Sequence, residues 1–478
     1  MTKHLDIDTK AMRAKILDLA IRGKLTDQRQ EDGNARDLLK EIQEEKERLI
    51  KEKKIKKEKP LPEITEEEKP FDIPENWEWV RLGEIIELQS GQDFPKSKYS
   101  DTDKEGIPYI TGASCFTKNG VLENRWTRFP KCIATKGDIL LVCKGSGYGK
   151  ITICNLQEVH IARQIMAIKR NEHLSLSYIE SFLMARIKLI KENGQGLIPG
   201  ISRDIVLNLL FPLPPLAEQQ RIADKVSALF AQLDVIDKAY EEYQELQQAM
   251  KAKLLELAIQ GKLTDQRKED GDARDLFQDI QEEKQRLIAE KKIKKEKSLP
   301  EITEEEKPFD IPENWEWVRW GTLSTSIKYG YNTSAQKDGK IKMVRISDIQ
   351  NNQVNWDSVP FCNIPNEEIT QYLLRKNDIL FARTGGTVGK SYLVSEVPEN
   401  VVYAGYLIRT RYSEKLSPQY LKYFMESYLY WSQLKKGTTI TAQPNCNAKT
   451  LGKMVLPLPP LAEQQRIVAK LDELLLLL

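Results

Sequence analysis

The chain has 478 residues, of which 40% are hydrophobic and 30% charged, and this predicts two or three domains with sizeable cores. Its 73 lysine and arginine residues are balanced by 71 acidic ones, so nucleic-acid binding through an overall positive field is excluded. Six cysteines without a C-x-x-C pair favour reduced thiols, and no segment is long and apolar enough to span a membrane. We therefore expect a cytoplasmic protein that makes no membrane contact.

Taken in chain order, the sequence contains an internal repeat, with two copies of the same segments. Three segments recur: 11–29 as 249–267, 61–81 as 299–319, and 212–222 (PLPPLAEQQRI) as 457–467. The second of these is identical in both copies. The regions between the repeats share little sequence, so one repeated framework is predicted to hold two domains of the same fold with different surfaces.

The repeats divide the chain into framework and globular regions. The five predicted regions are an N-terminal helical framework (1–58), a first globular domain (59–214), a central coiled-coil framework (215–296), a second globular domain (297–459) and a C-terminal helix (460–478). From Ile222 to Leu257, apolar residues alternate at spacings of four and three, which predicts a coiled-coil rod of roughly 60 Å. Gly261 is predicted to end this helix, and a second helix is predicted from about Ala273 to about Glu290.

Pieces of the same heptad pattern stand at both ends of the chain. The C-terminal residues from Ile467 to Leu478 repeat the first half of the rod, and Met12 to Leu19 repeat its second half. We therefore predict that the termini lie close together and form a split rod, antiparallel to the intact one. The predicted fold class is mixed α+β: two globular α/β domains separated by long antiparallel coiled-coil helices with pseudo-twofold symmetry.

Each globular region contains a buried-type strand that leads into a glycine-rich turn and a lysine. The two segments are KGDILLVCKGSGYGK at 136–150 and KNDILFARTGGTVGK at 376–390. Their G-x-x-x-G-K spacing is one residue short of a nucleotide-binding P-loop, which disfavours that function. Two interpretations stay open, a structural turn that closes a hairpin and a turn that contacts DNA phosphates.

These features resemble one known family, the specificity subunits of type I restriction-modification systems. The resemblance is carried by PLPPLAEQQRI before a long helix, by the basic helix at 42–64 and by PENWEWVR before each variable region. It covers essentially the whole chain. It implies two target recognition domains, each of which reads one half of an asymmetric bipartite site in double-stranded DNA.

The resemblance also implies partners and cofactors. The helices would set the half-site separation and dock two modification subunits, which would bring S-adenosylmethionine and adenine methylation. Restriction subunits would bring ATP-driven translocation and cleavage, with magnesium. No cofactor is expected in this chain, which would be a non-catalytic specificity subunit.

Candidate DNA-binding residues are side chains that can neutralise phosphates, stack on a base or pair with base edges. The candidates are Lys144, Tyr148, Lys150, Arg163, Gln164 and Arg203 in the first domain, and Arg345, Arg383, Lys390, Arg409, Gln443 and Asn445 in the second. For any one of them, a surface or core-edge role is the commoner alternative.

Two other functions remain open from the residues alone. A self-contained modification enzyme is disfavoured, because the sequence has no Asn-Pro-Pro-aromatic or Asp-Pro-Pro-aromatic motif and only three histidines. A coiled-coil scaffold with two protein-binding domains is compatible with the composition, and it would be favoured by an apolar patch on each variable domain.

Overall fold

The computed structural model describes residues 7–145, 147–193, 200–398, 400–437 and 445–478. It divides into two compact units, which we call the N-terminal unit (residues 3–241) and the C-terminal unit (residues 242–478). Each unit contains both helices and β-sheets. The predicted mixed α+β class with two domains is therefore confirmed.

The N-terminal unit begins with helices and then forms its sheets. Its helices are α1 (Thr9–Ile21), α2 (Ala35–Lys51), α3 (Leu82–Ile85), α4 (Leu176–Asn193), α5 (Arg203–Leu207) and the first half of α6 (Leu216–Ile259). Its strands are β1 (Glu78–Arg81), β2 (Leu88–Ser90), β3 (Ile107–Ile110), β4 (Phe116–Thr117), β5 (Gly120–Val121), β6 (Trp126–Thr127), β7 (Ile133–Thr135), β8 (Ile139–Val142), β9 (Ile151–Ile153), β10 (Glu158–Ile161), β11 (Ile165–Ile168) and β12 (Leu210–Leu213).

The C-terminal unit repeats this order after the second half of α6. Its further helices are α7 (Ala273–Ala289), α8 (Trp320–Leu323), α9 (Asn366–Tyr372), α10 (Pro418–Phe424), α11 (Tyr428–Gly437), α12 (Ala448–Lys453) and α13 (Leu461–Leu475). Its strands are β13 (Glu316–Arg319), β14 (Ser324–Tyr329), β15 (Ile341–Val344), β16 (Ile349–Gln350), β17 (Gln353–Val354), β18 (Phe361–Cys362), β19 (Ile379–Ala382), β20 (Ser391–Leu393), β21 (Val401–Tyr403), β22 (Leu407–Tyr412) and β23 (Val455–Leu458).

The two units share one sheet skeleton. An antiparallel sheet runs β2-β11-β8-β9 in the N-terminal unit and β14-β22-β19-β20 in the C-terminal unit. Beside it, β10 pairs in parallel with β3, and β21 pairs in parallel with β15. The central strands β8 and β19 are apolar and buried along their whole length, because both faces of the sheet are covered. The prediction of two domains on one skeleton is therefore confirmed.

The framework helices pair antiparallel within each unit. In the N-terminal unit, Arg13 of α1 lies 2.8 Å from Asp237, whereas Gln28, which follows α1, donates to Glu218 at 2.6 Å. As the residue number increases from Arg13 to Gln28, the residue number of the contacted residue on α6 decreases from Asp237 to Glu218. The two segments are therefore antiparallel. The predicted long helix of the central framework is found as α6.

In the C-terminal unit, the second half of α6 pairs with α13. Gln266 donates to Glu463 at 2.7 Å, and the hydroxyl of Tyr243 donates to the carbonyl of Leu478 at 3.3 Å. The predicted seam is only partly covered, because a pair of helices buries one stripe of each. Leu246, for example, is 59% exposed.

Candidate nucleic-acid interface

Three segments of the N-terminal unit meet at the end of β8. Cys143 donates its backbone N–H to the carbonyl of Gln164 at 2.7 Å and accepts from the N–H of Ile201 at 2.8 Å. Lys144 forms a β-bridge with Gly200. These bonds bring the turn after β8, the β10–β11 turn and the segment before α5 together around a cleft of about 360 Å³.

Four sequence-predicted residues lie at or beside this cleft. Lys144, Arg163 and Arg203 line it, and Gln164 is exposed next to it. The Arg163 guanidinium lies 3.3 Å from Asp93 and its side chain remains 71% exposed. Arg203 donates to the carbonyl of Leu88 and to the carboxylate of Glu58. The cleft therefore offers cationic side chains, of which Arg203 is the most firmly held.

The glycine-rich turn of the N-terminal unit closes a hairpin. Strands β8 and β9 pair antiparallel on either side of it, and Gly149 donates to the carbonyl of Val142 at 2.7 Å with a φ of 86°. A P-loop would require a helix after the lysine, and a strand follows here. Tyr148 packs on the hydrophobic core, with the Lys191 ammonium 5.1 Å from its ring centre.

The lysines that follow these turns are accessible to solvent. Lys150, immediately before β9, and Lys390, immediately before β20, are both exposed. Among the described residues, neither makes an ion pair. Both are thus positioned to neutralise an anion that approaches the hairpin end.

The C-terminal unit repeats the three-segment meeting point at the end of β19. Arg383 donates its backbone N–H to the carbonyl of Tyr406 at 3.1 Å and accepts from the N–H of Cys446 at 2.9 Å. Thr384 forms a β-bridge with Asn445, which is exposed. Arg383 and Asn445, both predicted from the sequence, therefore lie together. The predicted residue Gln443 lies outside the described residues.

Two other predicted arginines lie apart from this meeting point. Arg409 is only 3% exposed and donates to the carbonyl of Leu373 at 2.8 Å. It is therefore a core residue, and its guanidinium is not accessible to a DNA base. Burial lowers the pKa of the Arg409 guanidinium. Arg345 pairs with Asp348 at 2.7 Å, which holds its side chain against its own turn.

The sequence reasoning missed two aromatic residues at the C-terminal meeting point. Tyr406 is 63% exposed at the β21–β22 turn, in the position that Gln164 occupies in the other unit. Tyr329, at the end of β14, lies below Arg383, whose guanidinium carbon is 4.8 Å from the ring centre. An alignment of the two repeats strand by strand would have placed Tyr406 opposite Gln164.

The repeated framework sequence forms a buried hydrogen-bonded cluster beside each domain, centred on one carboxylate, which we call the clasp. Glu218 is fully buried and accepts hydrogen bonds from Trp77, Gln28 and Thr26. Burial of the carboxyl raises the pKa of Glu218, which its hydrogen bonds lower only in part. The clasp joins the start of α6 to the chain segment that enters the globular part, so it fixes the domain on its framework.

Among the described residues, neither a metal-binding cluster nor a membrane-crossing helix is found. The described ranges contain no group of three or more histidine, cysteine, aspartate or glutamate residues placed to hold a metal ion. Within the same ranges, every helix is too short or too polar to cross a membrane.

Comparison with known proteins gives a consistent result. Residues 74–245 and 312–477 match the family model of the type I restriction modification DNA specificity domain. The chain is 30% identical to the specificity subunit of the Escherichia coli type I restriction enzyme EcoAI, over 98% of this chain and 89% of that protein. It is 27% identical to the EcoEI specificity subunit of the same organism, over 97% and 88%.

A solved structure shares the fold. It comes from a study of complex assembly and conformational transition in a type I restriction-modification system. One of its chains aligns with 85% of this chain and 91% of its own length, with a TM-score of 0.56 and 21% sequence identity.

Proposed function

This chain belongs to the type I restriction-modification DNA specificity family, and from that premise we propose that its two units read the two halves of one asymmetric DNA target. Membership in this family confirms the prediction that the chain is a DNA-recognition subunit. Specificity subunits are the non-catalytic subunits of such systems. Recognition is divided between the units, with one half-site for each.

The observation that carries this proposal is the repeated meeting point with unlike side chains. The same backbone hydrogen bonds recur at Cys143 and Arg383, while Gln164 in one unit is replaced by Tyr406 in the other. A shared backbone places both surfaces on DNA in the same way, and different side chains read different bases. Exposed Lys150 and Lys390 would fix each domain on the phosphates.

The framework helices would set the distance between the half-sites and bind two modification subunits. The second half of α6 leaves Tyr243, Leu246 and Met250 exposed by 48%, 59% and 45%, which gives a partner helix apolar surface to cover. The modification subunits would hold S-adenosylmethionine, and restriction subunits would bring ATP and magnesium. We place this assembly in the cytoplasm.

Methylome sequencing tests the proposal directly. The chain is expressed with a type I modification subunit in a host without adenine methylation. We expect N6-methyladenine at one asymmetric, split motif, and none when either protein is omitted. Methylation by this chain alone would contradict the non-catalytic assignment. Absence of methylation from a copurified complex, whose modification subunit is active with another specificity subunit, would contradict DNA reading.

A further inference from the structure

The two units can be compared residue by residue where the three segments meet. The backbone bonds place Arg383 at the position of Cys143 and Tyr406 at that of Gln164. The bond from Gly330 N–H to the carbonyl of Leu407, at 3.0 Å, recurs between Gly91 and Ile165 at the same distance. Tyr329, which precedes Gly330, therefore stands where the other unit has a serine.

The glycine at this point, Gly330 or Gly91, lies so close to a neighbouring chain segment that no larger residue fits. A Cβ added to Gly330 would come within 2.2 Å of the carbonyl oxygen of Ala404, and one added to Gly91 within 2.1 Å of that of Ala162. Only glycine allows so close an approach of two chain segments. The side chains at the meeting point are thus presented from the same scaffold in both units.

The C-terminal unit presents aromatic surface at this point. The Tyr406 side chain is exposed although it is large, and burying such a ring against a partner is favourable. The Tyr329 ring is held by a 3.0 Å hydrogen bond from the N–H of Ala448 to its hydroxyl. The guanidinium carbon of Arg383 lies over that ring, 4.8 Å from its centre, and this cation–π contact restrains the group before any ligand arrives.

Arg383 also has an unused hydrogen-bond donor. Its Nε is buried and finds no acceptor among the described residues. An unpaired buried donor is unfavourable, so a small movement of the guanidinium that brings this donor to a ligand oxygen or nitrogen would remove that cost. At the equivalent position the other unit has Cys143, whose thiol contacts the carbonyl of Arg163 and provides no comparable donor.

We propose that Tyr406, Tyr329 and Arg383 form the base-reading surface of the C-terminal unit. This inference rests on the proposed function and names the residues that carry it in one half-site. Arg383 donates to acceptors on a base edge, for which guanine O6 and N7 are the best-matched pair. Tyr406 packs its ring against the edge of a neighbouring base, where a thymine methyl offers apolar contact.

Three variants of the full chain, each in complex with the modification subunit, test this proposal. Y406Q introduces the residue that the other unit has at position 164, and R383K keeps the charge but loses the planar fork of donors. The control is Y428Q, the same exchange at a tyrosine of α11 that is 79% exposed and lies outside the proposed surface. The readout is the methylated motif in the genome, with the thermal unfolding temperature of each complex.

The wild-type complex must first methylate a split motif, and failure at that step contradicts the proposed function, not the reading surface. We then expect Y406Q and R383K to alter or relax one half-site, with about a tenfold loss of preference at a contacted base pair. That half-site is the one that stays constant when the N-terminal domain is exchanged. The other half-site, and both half-sites of Y428Q, should remain unchanged.

The proposal would be overturned if Y406Q and R383K both kept the wild-type base preferences, even if the overall level of methylation changed. An altered half-site in the Y428Q control would overturn it as well. Since Tyr406 is exposed, we expect its variant to unfold at the wild-type temperature; if it does not fold, R383K alone decides the outcome.

Discussion

The indole Nε1 of Trp77 donates a 2.8 Å hydrogen bond to the carboxylate of Glu218, across 141 residues of sequence. Trp315 makes the same bond, at the same length, to Glu463. Both carboxylates are fully buried. The repeated sequences of the chain therefore meet in space, where these hydrogen bonds join each domain to its framework helix.

Removal of one indole donor should destabilise the clasp. In W77F a smaller aromatic ring remains, Glu218 loses one of its hydrogen bonds and a cavity is left in the core, so we expect the free energy of unfolding to fall by at least about 1–3 kcal/mol. The measurement is urea denaturation of the full chain. W315F is the equivalent variant in the C-terminal unit, and it should have a similar effect because the hydrogen-bond geometry is repeated there. If neither variant changes the unfolding midpoint, the clasp contributes nothing to stability.

The clasp should also give a defined pH dependence. Burial raises the pKa of Glu218 and Glu463 above the value of 4.5 expected in the unfolded chain. The folded chain therefore holds these protons to higher pH, so the stability they contribute is complete below about pH 4.5 and falls as pH rises through the folded pKa. Relative to an E218Q/E463Q double variant, the wild type should lose free energy of unfolding with rising pH.

This comparison isolates the two glutamates. Other groups act in the opposite direction, such as Asp32, whose pKa is lowered by its hydrogen bond with Arg221. The double variant keeps those groups, so their effect cancels in the difference between the two urea denaturation series. A difference that is constant over this pH range would contradict the raised pKa values.

The framework could be predicted from the sequence because its signals are local. The heptad spacing predicted α6, and Gly261, which adopts a φ of 68°, was correctly predicted to follow its end. The strand and glycine-rich turn were also predicted, because a buried apolar run and several glycines identify them without tertiary information.

The side-chain roles were harder to predict, because they depend on distant partners. Arg409 resembles a base-reading arginine in sequence, but its acceptor is the carbonyl of Leu373 on another segment. Its neighbour Arg411 pairs with Asp378 at 2.7 Å, as Lys169 pairs with Asp138 in the other unit. These core contacts, like the exposure of Tyr406, appear only when the strands are placed side by side.

Exchange of one globular domain should change one half-site. Strands β1 and β12 pair so that Arg81 lies opposite Leu210, and the ends of segment 82–209 are therefore neighbours. Replacing this segment by another recognition domain leaves Trp77 and Glu218 in place. We expect methylome sequencing to show one new half-site, with the other half and the spacer unchanged. A change in both halves would contradict independent reading by the two units.

Insertion of one heptad into α6 should lengthen the unread spacer. The compact units divide between residues 241 and 242, so an insertion there keeps the Arg13–Asp237 pairing of one unit and the Tyr243–Leu478 contact of the other. Seven residues add about 10 Å and preserve the apolar face, because the heptad repeat is retained.

The expected result is a target with both half-sites unchanged and about three more base pairs between them, since each base pair spans about 3.4 Å. A polar, helix-breaking insertion of the same length is the control, and it should reduce methylation because it interrupts α6. If the heptad variant methylates the original target with the original spacer, α6 does not set the half-site separation. The units would then have to be positioned by the modification subunits bound to them.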